Sequence, residues 1–309
     1  MSSDQNFDLP EDQPLSASRG SRLPVLPLLL VALLSFAAFQ PNTVRAAWQE
    51  FEKVIGLSSA PLQASPAMLS EHESDDLATM DVQHQAERLL ERTINHYSGA
   101  IEMLGSRVGE WNGRLTLNPH LSGLLETGLN SNDLRVRAAS LEIELAAYNV
   151  PKTSAGVELL VGRISEASNR YWALWLMGAL GNRGVEPDRA FSVLMDHIKD
   201  SDEMTRFWTV EGMALLGSDN TIRPLLDVFH SDPSAKVRER AACSLAQSGM
   251  LTKDQRMTAA PEITNFLDDT SLDAATRGWA GQALRDITGA NLGSDPGAWR
   301  AWLADHNTR

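Results

Sequence analysis

Hydrophobic positions are distributed in two ways along this chain. From Leu23 to Phe39 seventeen residues pass without a charge. That run shows no amphipathic period and follows a polar stretch, 1–22, rich in Ser, Asp and Gln, whose composition predicts disorder. Ala46 to Leu57 places Trp48, Phe51, Val54 and Ile55 on one helical face. Residues 58–76 are rich in Ser, Pro and Ala and read as a flexible linker. From residue 77 onward apolar residues recur at steps of three and four, and strand-like alternation is almost missing. Ala86, Leu90, Ile94, Tyr97, Ile101, Leu104 and Val108 predict one long helix that ends at Gly109–Gly113, with Trp111 in the turn.

The body then repeats itself. Four segments superpose without gaps from Arg170, Arg206, Arg238 and Arg277, at spacings of 36, 32 and 39 residues. Three and four positions on stand Ala173/Leu174, Thr209/Val210, Ala241/Ala242 and Ala280/Gly281. Seven on stand Met177, Met213, Leu245 and Leu284. These offsets share one helical face, and its small residues admit a close neighbour. Gly181, Gly217 and Gly249, with Gly289 one place late, predict left-handed helix ends. Glu166, Asp202, Ser234 and Asp273, four before each Arg, are the predicted caps. A looser copy starts at Arg137. Upstream of each copy lies a second amphipathic helix, with apolar sets such as Val157/Leu160/Ile164 and Ile263/Phe266/Leu267. The unit is a helix hairpin of about 35 residues that buries its apolar face only by stacking on its neighbours.

Asp232-Pro233, Lys236-Val237-Arg238-Glu239-Arg240-Ala241-Ala242, Leu245-Ala246 and Gly249 resemble the HEAT repeat, in particular the short bacterial type called bilin-lyase-like. Asp133 to Ala139 is similar, and the resemblance covers about 120–289. The copy at Arg170 departs from it, with Tyr171, Trp172 and Trp175 in place of small or polar residues. The resemblance implies an all-α, right-handed solenoid of five to six hairpins over 77–309. Asp295-Pro296-Gly297-Ala298-Trp299-Arg300-Ala301-Trp302, within 290–309, reads as its cap: Asp295 at the N-cap, Pro296 at the first helical position, Trp299 and Trp302 on one face. Relatives of this type include chromophore lyases and a hydroxylase that holds iron through His-Glu pairs.

The apolar run 23–39 would span about 25 Å as a helix, just short of a bilayer core of about 30 Å. It reads either as a signal anchor or as a signal peptide cleaved after Val44-Arg45-Ala46. Arg19 and Arg22 before it keep the N-terminus cytoplasmic in both readings and place the body outside. Residues 40–76 then join the membrane segment to the solenoid.

Composition narrows the chemistry. The net charge is −13, which disfavours nucleic acid as a partner and suits a basic or neutral protein or peptide. The single cysteine, Cys243, excludes an internal disulfide. The sequence has no phosphate-binding Gly loop, no G-x-S-x-G and no H-E-x-x-H, and its seven histidines are scattered. No His-Glu pair falls within the repeats, so neither a catalytic residue nor a cofactor or metal is expected. Tryptophan is the unusual feature. Two positions past each repeat Arg stand Trp172, Trp208, Arg240 and Trp279, with Trp175 close to the same face. At about 100° per residue this row lies opposite the core offsets, so it predicts a ladder along the surface that the second helices share. The functional expectation is a non-enzymatic scaffold of the cell envelope, with a chromophore-handling or lyase-type protein as the alternative.

Overall fold

A computed structural model describes residues 67–306. The polar leader, the apolar run 23–39 and the amphipathic segment at 46–57 lie outside the described residues. Among those described, no helix is long and apolar enough to cross a membrane. The described body is all helical, and its one β feature is an isolated bridge between Met68 and Ser98.

Fourteen α-helices follow one another among the described residues. The N-terminal group comprises α1 (Glu71–Thr79), α2 (Val82–Ile94), α3 (Ala100–Arg107) and a 3-10 turn at Val108–Trp111. Five hairpins come next: α4 (Pro119–Leu129) with α5 (Leu134–Ala147), α6 (Ser154–Ser165) with α7 (Arg170–Asn182), α8 (Pro187–His197) with α9 (Glu203–Leu216), α10 (Asp219–Ser231) with α11 (Ala235–Ala246), and α12 (Lys253–Phe266) with α13 (Ala274–Thr288). The last helix is α14 (Pro296–His306). Each hairpin pairs internally, and α7, α9, α11 and α13 pack side by side in chain order, as a solenoid requires.

The repeated positions account for this packing. Asp133, Asp202, Ser234 and Asp273 cap α5, α9, α11 and α13 through their side chains, accepting from Arg135, Thr205, Val237 and Thr276 backbone N–H groups. Gly217 and Gly289 end α9 and α13 at φ +60° and +76°. The α7 copy behaves differently on both counts. Glu166 does not cap α7 and instead pairs with Arg163 at 3.1 Å. Gly181 has no positive φ; a Cβ there would meet Ala190 Cβ at 2.8 Å, so it is glycine for close packing. Gly178 and Gly212 carry the same logic further: a Cβ on Gly178 would sit 1.9 Å from the Gly212 carbonyl oxygen. The α7 and α9 backbones therefore touch.

Two expectations need correction. The single helix from Ala86 to Val108 is broken at Asn95–Gly99, where His96 and Gly99 adopt φ +56° and +85°. The apolar period survives because α2 folds back on α3 and both faces enter one core. Residues 71–76, read as linker, form the first turns of α1, capped by Ser70 and tied to α2 by Glu73 on Arg92 at 2.6 Å.

The hairpin α4–α5 keeps the repeat pattern but not the stacking. Arg137 near the start of α5 donates to the carbonyls of Gln247 and Gly249, beyond the end of α11. Glu142 in its middle pairs with Arg183 at the end of α7, 2.8 Å away. Tyr148 at its C-terminus stacks on Trp172 in the first turn of α7, with ring centroids 5.2 Å apart. So α5 runs opposite in sense to α7 and crosses the ends of the second helices. It is buried nearly all round because it divides two cores: Leu141 and Leu145 join the main cluster, while Ala139, Ile143 and Ala146 join the N-terminal one. At the other end α14 packs on α12 and buries Trp299 completely, its indole N–H held by the Gly293 carbonyl at 3.0 Å.

Candidate binding face of the second helices

The repeat Arg positions build the frame. Each guanidinium turns back on the loop of its own hairpin: Arg170 to the Ile164 carbonyl, Arg206 to those of Asp200 and Ser201, Arg238 to that of Asp232, Arg277 to that of Leu272. Two also reach the next repeat. Arg206 pairs with Asp232 through two hydrogen bonds, 2.8 and 3.1 Å, and Arg238 with Asp273 at 2.6 Å. These links fix the rotation of α9, α11 and α13 against one another. They therefore fix where the residues two places further on must lie.

Trp172, Trp175, Trp208 and Trp279 are each half-buried, and all four rest against the main core. The row is thus neither a free-standing exposed ladder nor a set of core side chains. Its members occupy one face of α7, α9, α11 and α13, yet no ring contact joins the four tryptophans to each other. Trp172 has its own partners: its indole N–H donates to Asn169 at 3.1 Å and its face is covered by Tyr148. Trp208 packs edge-on against Phe207 at 5.8 Å, and Phe207 in turn lies 4.9 Å beneath the Lys236 ammonium. Arg240, the one basic member, sits 2.7 Å from Glu211 of α9. Its Nε has no aligned hydrogen bond, so the contact is one of charge. Beyond it, Trp279 shares a small concavity with Glu239, Cys243 and Asp286.

The face carries several acidic side chains, and burial disfavours the charge of two of them. Burial pushes the Glu211 carboxyl up from the usual glutamate range, and the Arg240 charge draws it back only in part. The Cys243 thiol is pushed up by burial; Arg240 works against that, while Glu239, Asp286 and Glu211 add to it. A thiol so placed is a poor nucleophile and acts as a small filler. At the α5 end Glu144 lies one turn before Tyr148 without an ion pair, and burial raises its pKa to about 7. Burial, with Glu144 second, also raises Tyr148.

Glu144 and Tyr148 were not anticipated as part of this face, because in the repeat register α5 should lie parallel to α7 and turn them elsewhere. The only sequence hint was the weakness of the Arg137 copy. Among the described residues no group of His, Cys, Asp and Glu is arranged to hold a metal ion. Histidines contact single carboxylates instead, as in the 2.8 Å contact of His230 with Asp269 of the next repeat.

No curated protein matches the chain. Residues 157–246, from within α6 to the end of α11, match the family model for HEAT repeats, so the stretch that carries the central part of this face is a run of HEAT repeats.

Proposed function

We propose that the chain is a non-enzymatic interaction scaffold. The face formed by Trp172, Trp175, Trp208, Arg240 and Trp279 takes up an extended, basic or neutral segment of a partner protein. HEAT repeats commonly mediate protein binding. The observation that supports this site is the coincidence of four half-buried tryptophans with acidic groups on one face of consecutive helices. Tryptophan and arginine dominate interface hot spots, and the carboxylates select the partner's charge. The body is held outside the cytoplasmic membrane by residues 23–39 as a signal anchor, or is released there by cleavage near Ala46.

Photo-crosslinking tests the face directly. A crosslinking residue at position 208 or 279 should trap a specific protein in cells, whereas one at Met195, exposed on a first helix, should not. Equal trapping from both faces would overturn the reading. A purified chain that carries a visible chromophore would favour the lyase-type alternative. A reporter fused after residue 66 should be active only outside the cytoplasm; cytoplasmic activity there would remove the membrane part of the proposal.

A further inference from the structure

Two arginines are buried near one another without a carboxylate. Arg137, near the start of α5, and Arg256, in the first turn of α12, are 8% and 7% exposed. Their partners are carbonyls. Arg137 donates to those of Ser131, Gln247 and Gly249; Arg256 donates to those of Leu251, Ser244 and Ser248 at 2.9 to 3.1 Å. Among the described residues no acid lies within ion-pair distance of either, and Arg137 Nη2 makes no hydrogen bond. Carbonyls at a helix end carry partial charges, which hold a guanidinium in place without neutralising it. Buried arginines are otherwise almost always paired.

The arginines line an open cleft of about 400 Å³ where the start of α5 meets the ends of α11 and α13. Lys253, exposed and without an ion pair, stands on its wall, together with Asp286 and Gly289. Three cations and one carboxylate leave an excess of two positive charges, on a chain whose net charge is −13. We propose that this cleft binds a phosphoryl dianion, either inorganic phosphate or the phosphate of a small monoester. The excess of two matches a dianion better than a monocarboxylate. Arg137 Nη2 supplies a free donor, Lys253 a mobile one, and the remaining volume admits a small organic group. Burial, with the Arg137 charge second, depresses Arg256 to about 10, and burial also lowers Arg137; a bound dianion relieves both. Because Arg137 belongs to α5 and its Gln247 and Gly249 carbonyl partners to the α11–α12 loop, the ligand would also fasten α5 across the array. The cleft contains none of the tryptophans, although Asp286 borders both it and the concavity at Trp279.

The test uses the full chain at constant ionic strength. Inorganic phosphate and glycerol 3-phosphate should each raise the melting temperature in a saturable way, whereas acetate and chloride should not. Lys253→Ala leaves the folded contacts intact, so it should keep the ligand-free melting temperature and weaken phosphate binding about tenfold in calorimetry. Amide resonances of Leu251, Lys253 and Gly289 should move on titration. An equal response to all anions, or a phosphate response unchanged by Lys253→Ala, would overturn the proposal. If glycerol 3-phosphate binds more tightly than phosphate, the ligand is a monoester; equal binding points to the free ion.

Discussion

Arg206 and Asp232 form the strongest single link between neighbouring repeats. Their side chains are 10% and 4% exposed, and the contact is bidentate. Asp232 also accepts from the Ser234 backbone N–H at 2.8 Å, and Arg206 donates to two carbonyls, so every polar group of the pair is occupied. Removing one partner strands the other charge in a site closed to water. Arg206→Ala should therefore cost about 3–5 kcal/mol, and Asp232→Ala about as much. The double variant should cost less than the sum of the two, with a coupling on the order of 1–3 kcal/mol, because no charge is stranded in it. Arg238 with Asp273 is the internal control. Asp273 is half-exposed, so solvent can replace its partner, and Arg238→Ala should cost about 1 kcal/mol. Urea unfolding followed by tryptophan fluorescence reads all four variants, with calorimetry to verify that the array melts as one unit. If the two single changes add up in the double variant, or if Arg206→Ala costs no more than Arg238→Ala, the pair does not lock the repeats.

Two other perturbations test separate parts of the structure. Gly178→Ala inserts a methyl into the Gly212 backbone and must push α7 from α9, a loss of about 3 kcal/mol or more; Gly162→Ala, with nothing within 4 Å, should instead be neutral or stabilise by about 0.5 kcal/mol. Thermal melts distinguish the two at once, and equal effects would mean that the helices do not meet at glycine. Glu144 gives a pH signature: burial raises its folded pKa from 4.5 to about 7, so the folded chain keeps a proton that the unfolded chain releases. Stability should accordingly fall as pH rises from about 4.5 to 7, by up to about 3 kcal/mol, and level off above. Glu144→Gln should flatten much of that slope and stabilise the protein at pH 8; a variant with the wild-type slope would assign the effect to another group, such as Glu211.

The sequence shows the hairpins because their causes are local. A capping acid or Ser, an Arg one turn on, and small residues at fixed offsets recur in four copies, and the structure places each copy on the second helix of a pair. The row Trp172, Trp208, Arg240 and Trp279 was legible for the same reason, since equal offsets on stacked helices fall on one surface. Its depth was not legible. Whether a tryptophan two places past the Arg is exposed depends on how far each helix rotates against the next. The Arg206–Asp232 and Arg238–Asp273 links set that rotation between residues 26 and 35 apart. The break at Asn95–Gly99 was hidden because α2 and α3 present their apolar residues to the same core, which preserves the period across a turn. Glu166 and Gly181 matched the repeat pattern by position while doing other work, so residue type at a register position does not alone fix its role.

The departure of α5 has the largest functional consequence. Had it followed the register of Arg137, α5 would lie parallel beside α7 as one more second helix, with Ala139 two places past Arg137 as the rung before Trp172. Instead Tyr148 covers Trp172, and the unpaired Glu144 stands beside it. A segment docked on the proposed face would then start from the open side at Trp279 and meet a wall at Tyr148. The two ends differ in chemistry. Near Trp279 the acids Glu239 and Asp286 are exposed and hydrated, and attract a basic segment at long range while contributing little once it is bound. Near Tyr148 the single carboxyl of Glu144 is half-buried and holds its proton up to about pH 7, so a cation that reached it would have to displace that proton. A partner that places its basic residues toward Trp279 and apolar ones toward Tyr148 satisfies both ends without that cost. The face therefore has a polarity that the repeats alone, being alike, could not supply.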